Sequence, residues 1–146
     1  MKDDHEENNQ EYPHLSTQKK GAIGELAIKK FLIERGYPLY ETMVDDDHID
    51  LLVELPHGAF SRVQIKTVFK SRFPTSVEVR TDKHSGTDRI DVMAIYYVPK
   101  DIVAFIPYNG ERNFVLAISH SKNNQIKERN WIYQYTEFPD FISRGK

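Results

Sequence analysis

The chain has 146 residues, no cysteine and a formal net charge of −2. The length suits a single domain with a sizeable core, and the lack of cysteine excludes a disulfide scaffold and a thiolate metal site. No apolar run approaches the about 18 residues that a membrane span needs, and the acidic, polar start is unlike a signal peptide. We therefore expect a cytoplasmic protein without a membrane partner.

The first residues differ in composition from the rest of the chain. Residues 1–12 carry five acidic residues against one lysine, a balance of −4, and the other nineteen basic and seventeen acidic residues leave +2. Apolar side chains are nearly absent from this segment, so it cannot bury enough surface to fold. We predict a disordered acidic tail over residues 1–13 and a single domain over residues 14–146.

A helix is predicted over residues 21–37. Ser16 or Thr17 can serve as its N-cap, and Gly36 can end it. Glu25 lies close to the apolar stripe of this helix, and a carboxylate near a buried face calls for a partner. The predicted stripe consists of Ile23, Leu26, Ala27 and Phe31.

Strands are predicted over residues 38–43, 48–54 and 60–68, with a short extra strand over 76–80. Further strands follow over 90–98, 102–107 and 113–118. The three consecutive acids before His48 form a solvated turn in this interpretation, because they cannot all face one ion on an extended chain. The turn acids are Asp45, Asp46 and Asp47.

The third strand carries an alternating segment of chemical interest. Side chains on a strand switch faces at every residue, so Gln64 and Lys66 point one way while Val63 and Ile65 point into a core. Asp50 lies on the preceding strand. A carboxylate on one strand with an amide and a lysine on the next can hold a divalent cation and a positive charge at one scissile phosphate. A half-buried strand with a solvated outer face is the alternative.

Over roughly residues 18–107 the order and spacing of these motifs resemble the PD-(D/E)xK nuclease superfamily. Within it the chain is similar to the small homing endonucleases of group I introns, which carry a Gly-x-x-Gly-Glu helix and Gln-hydrophobic-Lys in place of Glu-x-Lys. The resemblance implies an α/β, restriction-endonuclease-like core with a mixed central sheet flanked by helices. It matches Glu25, Asp50, Gln64 and Lys66 to the catalytic positions of the superfamily.

The resemblance also implies a metal site and a role for each residue. Mg²⁺ or Mn²⁺ would be held by oxygens of Asp50, Glu25 and Gln64 and by the Ile65 backbone carbonyl. Lys66 would orient or activate the attacking water and counter phosphate charge. Gln64 stands where the superfamily usually has an acid, and the loss of one negative charge should weaken binding of a hard cation.

The functional prediction is therefore a Mg²⁺-dependent endodeoxyribonuclease that binds DNA as a homo-oligomer, a dimer or tetramer. A Holliday-junction resolvase and a repair or restriction nuclease stay open, as does a non-catalytic nucleic-acid-binding protein with the same fold. Lys66 beside Asp50 favours the enzyme, because a purely structural descendant has little reason to keep a lysine there.

Residues 60–90 contain seven basic residues against three acidic ones, a local balance of +4. A segment with such an excess of positive charge can bind along the phosphate backbone of a nucleic acid. An ordinary charged surface is the alternative. The predicted DNA contacts are Arg62, Lys70, Arg72, Arg80, Lys83, His84 and Arg89.

Two regions fit the resemblance less well. The helix expected between the third and fourth core strands is not evident; residues 69–88 take its place, or it comes near the chain end. The C-terminal segment is rich in large apolar residues, which we expect to pack against the sheet or to form an oligomer interface. They are Trp131, Ile132, Tyr133, Tyr135, Phe138, Phe141 and Ile142.

Overall fold

The computed structural model describes residues 12–44, 49–81, 89–119 and 130–140. Within these residues one helix precedes seven strands and two short 3₁₀ turns. The predicted strands over 60–68, 76–80 and 102–107 are confirmed at both ends, and the others are shorter than predicted. None of the described helical segments combines the length and apolarity that a membrane crossing requires. The elements are α1 (Thr17–Glu34), β1 (Leu39–Tyr40), β2 (Leu51–Glu54), β3 (Phe60–Val68), β4 (Ser76–Arg80), β5 (Val92–Tyr97), β6 (Ile102–Pro107), β7 (Asn113–Ala117) and the turns Val98–Lys100 and Ile132–Tyr135.

The strands form a five-stranded sheet in the order β1-β2-β3-β5-β6 and a separate two-stranded ribbon of β4 and β7. β3 and β5 are parallel, whereas the other neighbours in both sheets are antiparallel. The central sheet is thus mixed, as predicted. Its parallel pair needs a crossover connection, and the described part of that crossover, residues 69–81 and 89–91, contains β4 and no helix.

The two faces of the sheet are covered by different layers. α1 covers one face, where Ile28 and Leu32 pack with Val63 and Ile65 of β3. The β4–β7 ribbon covers the other face around Met93 and its neighbours on β5. All but one residue of β5 is buried, because its side chains alternate between two apolar layers. The prediction that Val63 and Ile65 point into a core is confirmed.

Helix α1 begins earlier than its predicted apolar segment and uses the predicted caps. The Ser16 side chain accepts a hydrogen bond from the Lys19 N–H at 3.2 Å, and Gly36 adopts a φ of +85° just after the helix end.

The predicted apolar stripe of α1 is partly wrong. Leu26 is 68% exposed, whereas Gly24, Ile28 and Leu32 are buried. These three buried residues are spaced four apart along the helix. The first of them is a glycine, which is not recognised as apolar when a stripe is read from the sequence. The close contact of Gly24 with Thr67 of β3 turns this row toward the sheet.

The ends of β3 and β5 are joined by a buried ion pair. Arg62 Nε lies 3.1 Å from Asp91 Oδ2 and Nη2 lies 3.3 Å from Oδ1, while the Arg62 N–H donates to Oδ2 at 2.8 Å. The Asp91 side chain has no exposed surface and that of Arg62 is 19% exposed. Arg62 is engaged within the fold, so we leave it out of the proposed DNA contacts.

Replacement of Asp91 by asparagine should lower the free energy of unfolding by about 2 kcal/mol, because the buried guanidinium loses its compensating charge. Urea denaturation measures this loss. The matched control is Glu78→Gln, which alters a more exposed ion pair with Arg80 and should change stability by at most about 0.5 kcal/mol. Equal effects of the two substitutions would contradict a structural role for the buried pair.

The C-terminal segment packs against the sheet, as predicted, through its buried members. Ile132 has no exposed surface, and the Phe138 ring lies 5.2 Å from that of Phe105 and 5.4 Å from that of Tyr37, measured between centroids. Tyr133 is about half exposed. Phe141 and Ile142 lie outside the described residues.

Candidate active site

Strands β2 and β3 part next to Asp50. The ladder between them ends at the pair Leu51 and Val63, yet Asp50 also donates its N–H to the Val63 carbonyl at 2.9 Å. Asp50 and Leu51 therefore both oppose Val63, which is the arrangement of a β-bulge. A bulge changes the direction of the side chain at that point. The Asp50 carboxylate accepts a hydrogen bond from the Ile65 N–H at 2.8 Å. This bond fixes the carboxylate at the edge of β3.

Two further oxygens lie on β3 close to this point. The N–H and C=O of one strand residue point to the same edge, so the Ile65 carbonyl lies on the edge that faces Asp50. Gln64 Oε1 is buried and has no hydrogen-bond partner among the described residues. A buried acceptor without a donor costs about 1–3 kcal/mol, and a cation would satisfy it.

An open groove of about 440 Å³ runs between α1 and the end of β3. Glu25 and Lys66 both line it, so the structure brings the helix-borne carboxylate and the strand lysine to one surface. The helix wall is formed by Thr17, Lys20, Gly21 and Glu25, and the strand wall by Ile65, Lys66, Thr67, Val68, Phe69 and Lys70. Three lysines against one glutamate give the lining an excess of positive charge.

Glu25 was predicted to need a partner, and Lys29, one helical turn further along α1, lies close to it. The Lys29 ammonium lies 3.9 Å from Glu25 Oε2 and also donates to the Glu41 carboxylate. This hydrogen bond and the lysine charge lower the pKa of Glu41. Glu25 keeps 45% of its side chain exposed, so the carboxylate remains accessible from the groove.

The other predicted DNA contacts do not form one cluster. Lys70 lines the groove, whereas Arg72 lies over the Phe73 ring at 5.8 Å and Arg80 contacts Glu78 at 3.2 Å. Arg89 is exposed. Residues 45–48, Lys83 and His84 lie outside the described residues.

Lys20 and Phe69 also line the site, although no sequence pattern singled them out. The signal that could have found the helix wall is the i+4 row of Thr17, Gly21 and Glu25, since residues four apart share one helix face. Lys20 is the residue just before Gly21, and it lines the same groove.

The donor set limits how a metal could be bound. In the described parts of the chain, no three His, Asp or Glu side chains converge on one point. A cation near Asp50 would therefore need uncharged oxygens beside the carboxylates. The unsatisfied Gln64 amide oxygen and the Ile65 carbonyl are such oxygens, so the residues present fit a hard divalent cation.

The sequence matches a family model described as PD-(D/E)XK endonuclease over residues 15–138. The chain therefore belongs to the PD-(D/E)XK endonuclease family, as the motifs predicted. Among solved structures it is similar to I-Ssp6803I, a bacterial homing endonuclease, with a TM-score of 0.63 and 20% identity over 82% of this chain and 86% of that chain. This likeness confirms the predicted α/β core. No curated protein matches the sequence.

Proposed function

We propose that this protein is a metal-dependent DNA endonuclease that resembles homing endonucleases in its active site. The observation that carries the proposal is the position of Asp50, whose carboxylate is held by the Ile65 N–H at 2.8 Å. Gln64, the residue before Ile65, has a buried amide oxygen to which no described residue donates a hydrogen bond, and Lys66, the residue after it, lines the groove. One short strand segment thus combines a carboxylate, a neutral oxygen ligand and a cation.

In this proposal Asp50 and Gln64 hold Mg²⁺ or Mn²⁺ together with Glu25 and the Ile65 carbonyl. A donor set of oxygens alone suits these hard cations better than zinc. When bound, the ion supplies Lewis-acid stabilisation of the charge that develops on the phosphate. The hydrogen bond from Ile65 keeps the Asp50 carboxylate oriented before any ligand arrives, which lowers the cost of reorganisation.

Lys66 acts from the groove. Its ammonium orients the attacking water and opposes the negative charge of the scissile phosphate. The excess of lysine in the groove lining favours a DNA backbone as the occupant. The described residues of one chain form one such site, and a double-strand cut needs two, so we also propose that the active form is a homo-oligomer, a dimer or tetramer.

The direct test incubates the protein with a pool of random-sequence DNA duplexes and sequences the new ends. We expect ends that form only with Mg²⁺ or Mn²⁺ and that disappear with EDTA. Mn²⁺ binding, measured by calorimetry without DNA, gives a second readout. Failure to bind millimolar Mn²⁺ together with the absence of metal-dependent ends would contradict the proposal and favour a non-catalytic nucleic-acid-binding protein.

Gln64→Glu should tighten Mn²⁺ binding by about tenfold, because a carboxylate replaces a neutral ligand. The same substitution buries a charge when no metal is present, so the apo protein should lose stability and regain it on addition of Mn²⁺. Calorimetry and thermal unfolding with and without Mn²⁺ check both effects. Unaltered metal affinity would remove Gln64 from the proposed ligand set.

A further inference from the structure

We propose that Lys70 and Lys20 form a second phosphate-binding position in the groove, which receives a DNA phosphate near the scissile one. This inference rests on the proposed endonuclease function and adds a substrate contact to it. The two lysines lie on opposite walls of the groove, Lys20 on α1 and Lys70 just beyond the end of β3.

Lys70 provides the first argument. Its Nζ atom is buried and has no hydrogen-bond partner among the described residues. An ammonium group removed from water without a partner is costly, so such groups are normally paired. Lys70 lines the same groove as Lys66, and an anion in that groove would supply the missing partner.

Lys20 provides the second argument. Its ammonium lies 5.3 Å from the centroid of the Phe69 ring, within the range of a cation–π interaction. The Phe69 ring is in turn held edge-on by Tyr12, with centroids 5.0 Å apart. Because Phe69 directly precedes Lys70, this contact brings the Lys20 ammonium to the part of the groove that Phe69 and Lys70 line.

The spacing from the proposed active site suits a neighbouring phosphate. Lys20 precedes Glu25 by five residues, which is about 7.5 Å along the helix axis at 1.5 Å per residue. A strand of duplex DNA advances about 3.4 Å per nucleotide. Lys20 therefore lies within a few nucleotides' reach of the carboxylate, and the lysine pair would fix the position of the DNA backbone rather than read its sequence.

The test measures binding of a random-sequence DNA duplex in EDTA, so that cleavage does not interfere, over a range of salt concentrations. Lys70→Met should weaken binding by about tenfold. It should also make the plot of log affinity against log salt less steep by about 0.9, the value for one phosphate. Lys70→Arg should restore the slope. The control is Lys30→Met on α1, the helix that also carries Lys20; Lys30 is exposed and contacts Glu34 at 2.6 Å, and the slope of this variant should equal that of the wild type.

Two further measurements separate this role from a structural one. Lys70→Met should not lower the thermal unfolding temperature, because it replaces a buried charge by an apolar side chain. The Lys20→Met and Lys70→Met double variant should bind DNA better than the product of the two single effects predicts, because one phosphate contact can be lost only once.

The measurements distinguish failure of the proposed phosphate position from failure of the proposed endonuclease function. A Lys70→Met variant that is destabilised, or that binds with the wild-type slope, overturns the phosphate position while wild-type binding and cleavage still support the endonuclease. A wild-type protein that binds no duplex overturns both proposals.

Discussion

Asp50→Asn is expected to lower the rate of metal-dependent DNA cleavage by on the order of 10³-fold and to leave the fold intact. The substitution removes the charge that would hold the cation, while the amide oxygen can still accept the hydrogen bond that the Ile65 N–H now gives to the carboxylate. Loss of activity would then report on the metal site and not on the strand. Cleavage rates at saturating Mn²⁺ measure the first effect, and urea denaturation measures the second.

The chain offers a matched control for this substitution. Asp101 is exposed, lies outside the groove and has a φ of 51°, a conformation that asparagine tolerates well. Asp101→Asn should cleave DNA at the wild-type rate. Wild-type cleavage by Asp50→Asn would rule out the proposed mechanism, and equal losses in both variants would show that the effect is not specific to the site.

Gly24→Ala is expected to lower the free energy of unfolding by about 3 kcal/mol. A Cβ at position 24 would lie 1.7 Å from Thr67 Oγ1 and 2.8 Å from Thr67 Cβ, so α1 would have to move away from β3. That movement would also displace Glu25, the next residue, from the groove. We therefore expect a loss of cleavage activity that exceeds the loss expected from the unfolded fraction alone.

Gly21 provides the comparison, because it lies one turn earlier on α1 and a Cβ there meets no atom within 4 Å. Gly21→Ala should stabilise the protein by about 0.5–1 kcal/mol through helix propensity. Thr67→Gly should rescue most of the Gly24→Ala loss in a double-mutant cycle, since it removes the clashing atoms. A Gly24→Ala variant as stable as Gly21→Ala would contradict the close helix–strand contact.

Local sequence determined those features that depend on side-chain period and on the chemistry of near neighbours. Val63 and Ile65 alternate with Gln64 and Lys66, and strand geometry alone puts the apolar pair in the core. The first and last residues of β3, β4 and β6 were predicted from the sequence for the same reason. The superfamily was also evident in the sequence, because its motifs are short and lie in a fixed order.

Tertiary structure decided how the elements face one another. The buried face of α1 depends on the contact between Gly24 and Thr67, two residues far apart in the chain, so helical period alone predicted a partly wrong stripe. Arg62 pairs with Asp91 because the parallel pairing of β3 and β5 brings the two residues together, a contact that no local sequence pattern predicted. Lys20 joined the site for the same reason, since only the packed helix places it over Phe69. Periodicity reports which side of an element is apolar, whereas long-range packing fixes which neighbour that side meets.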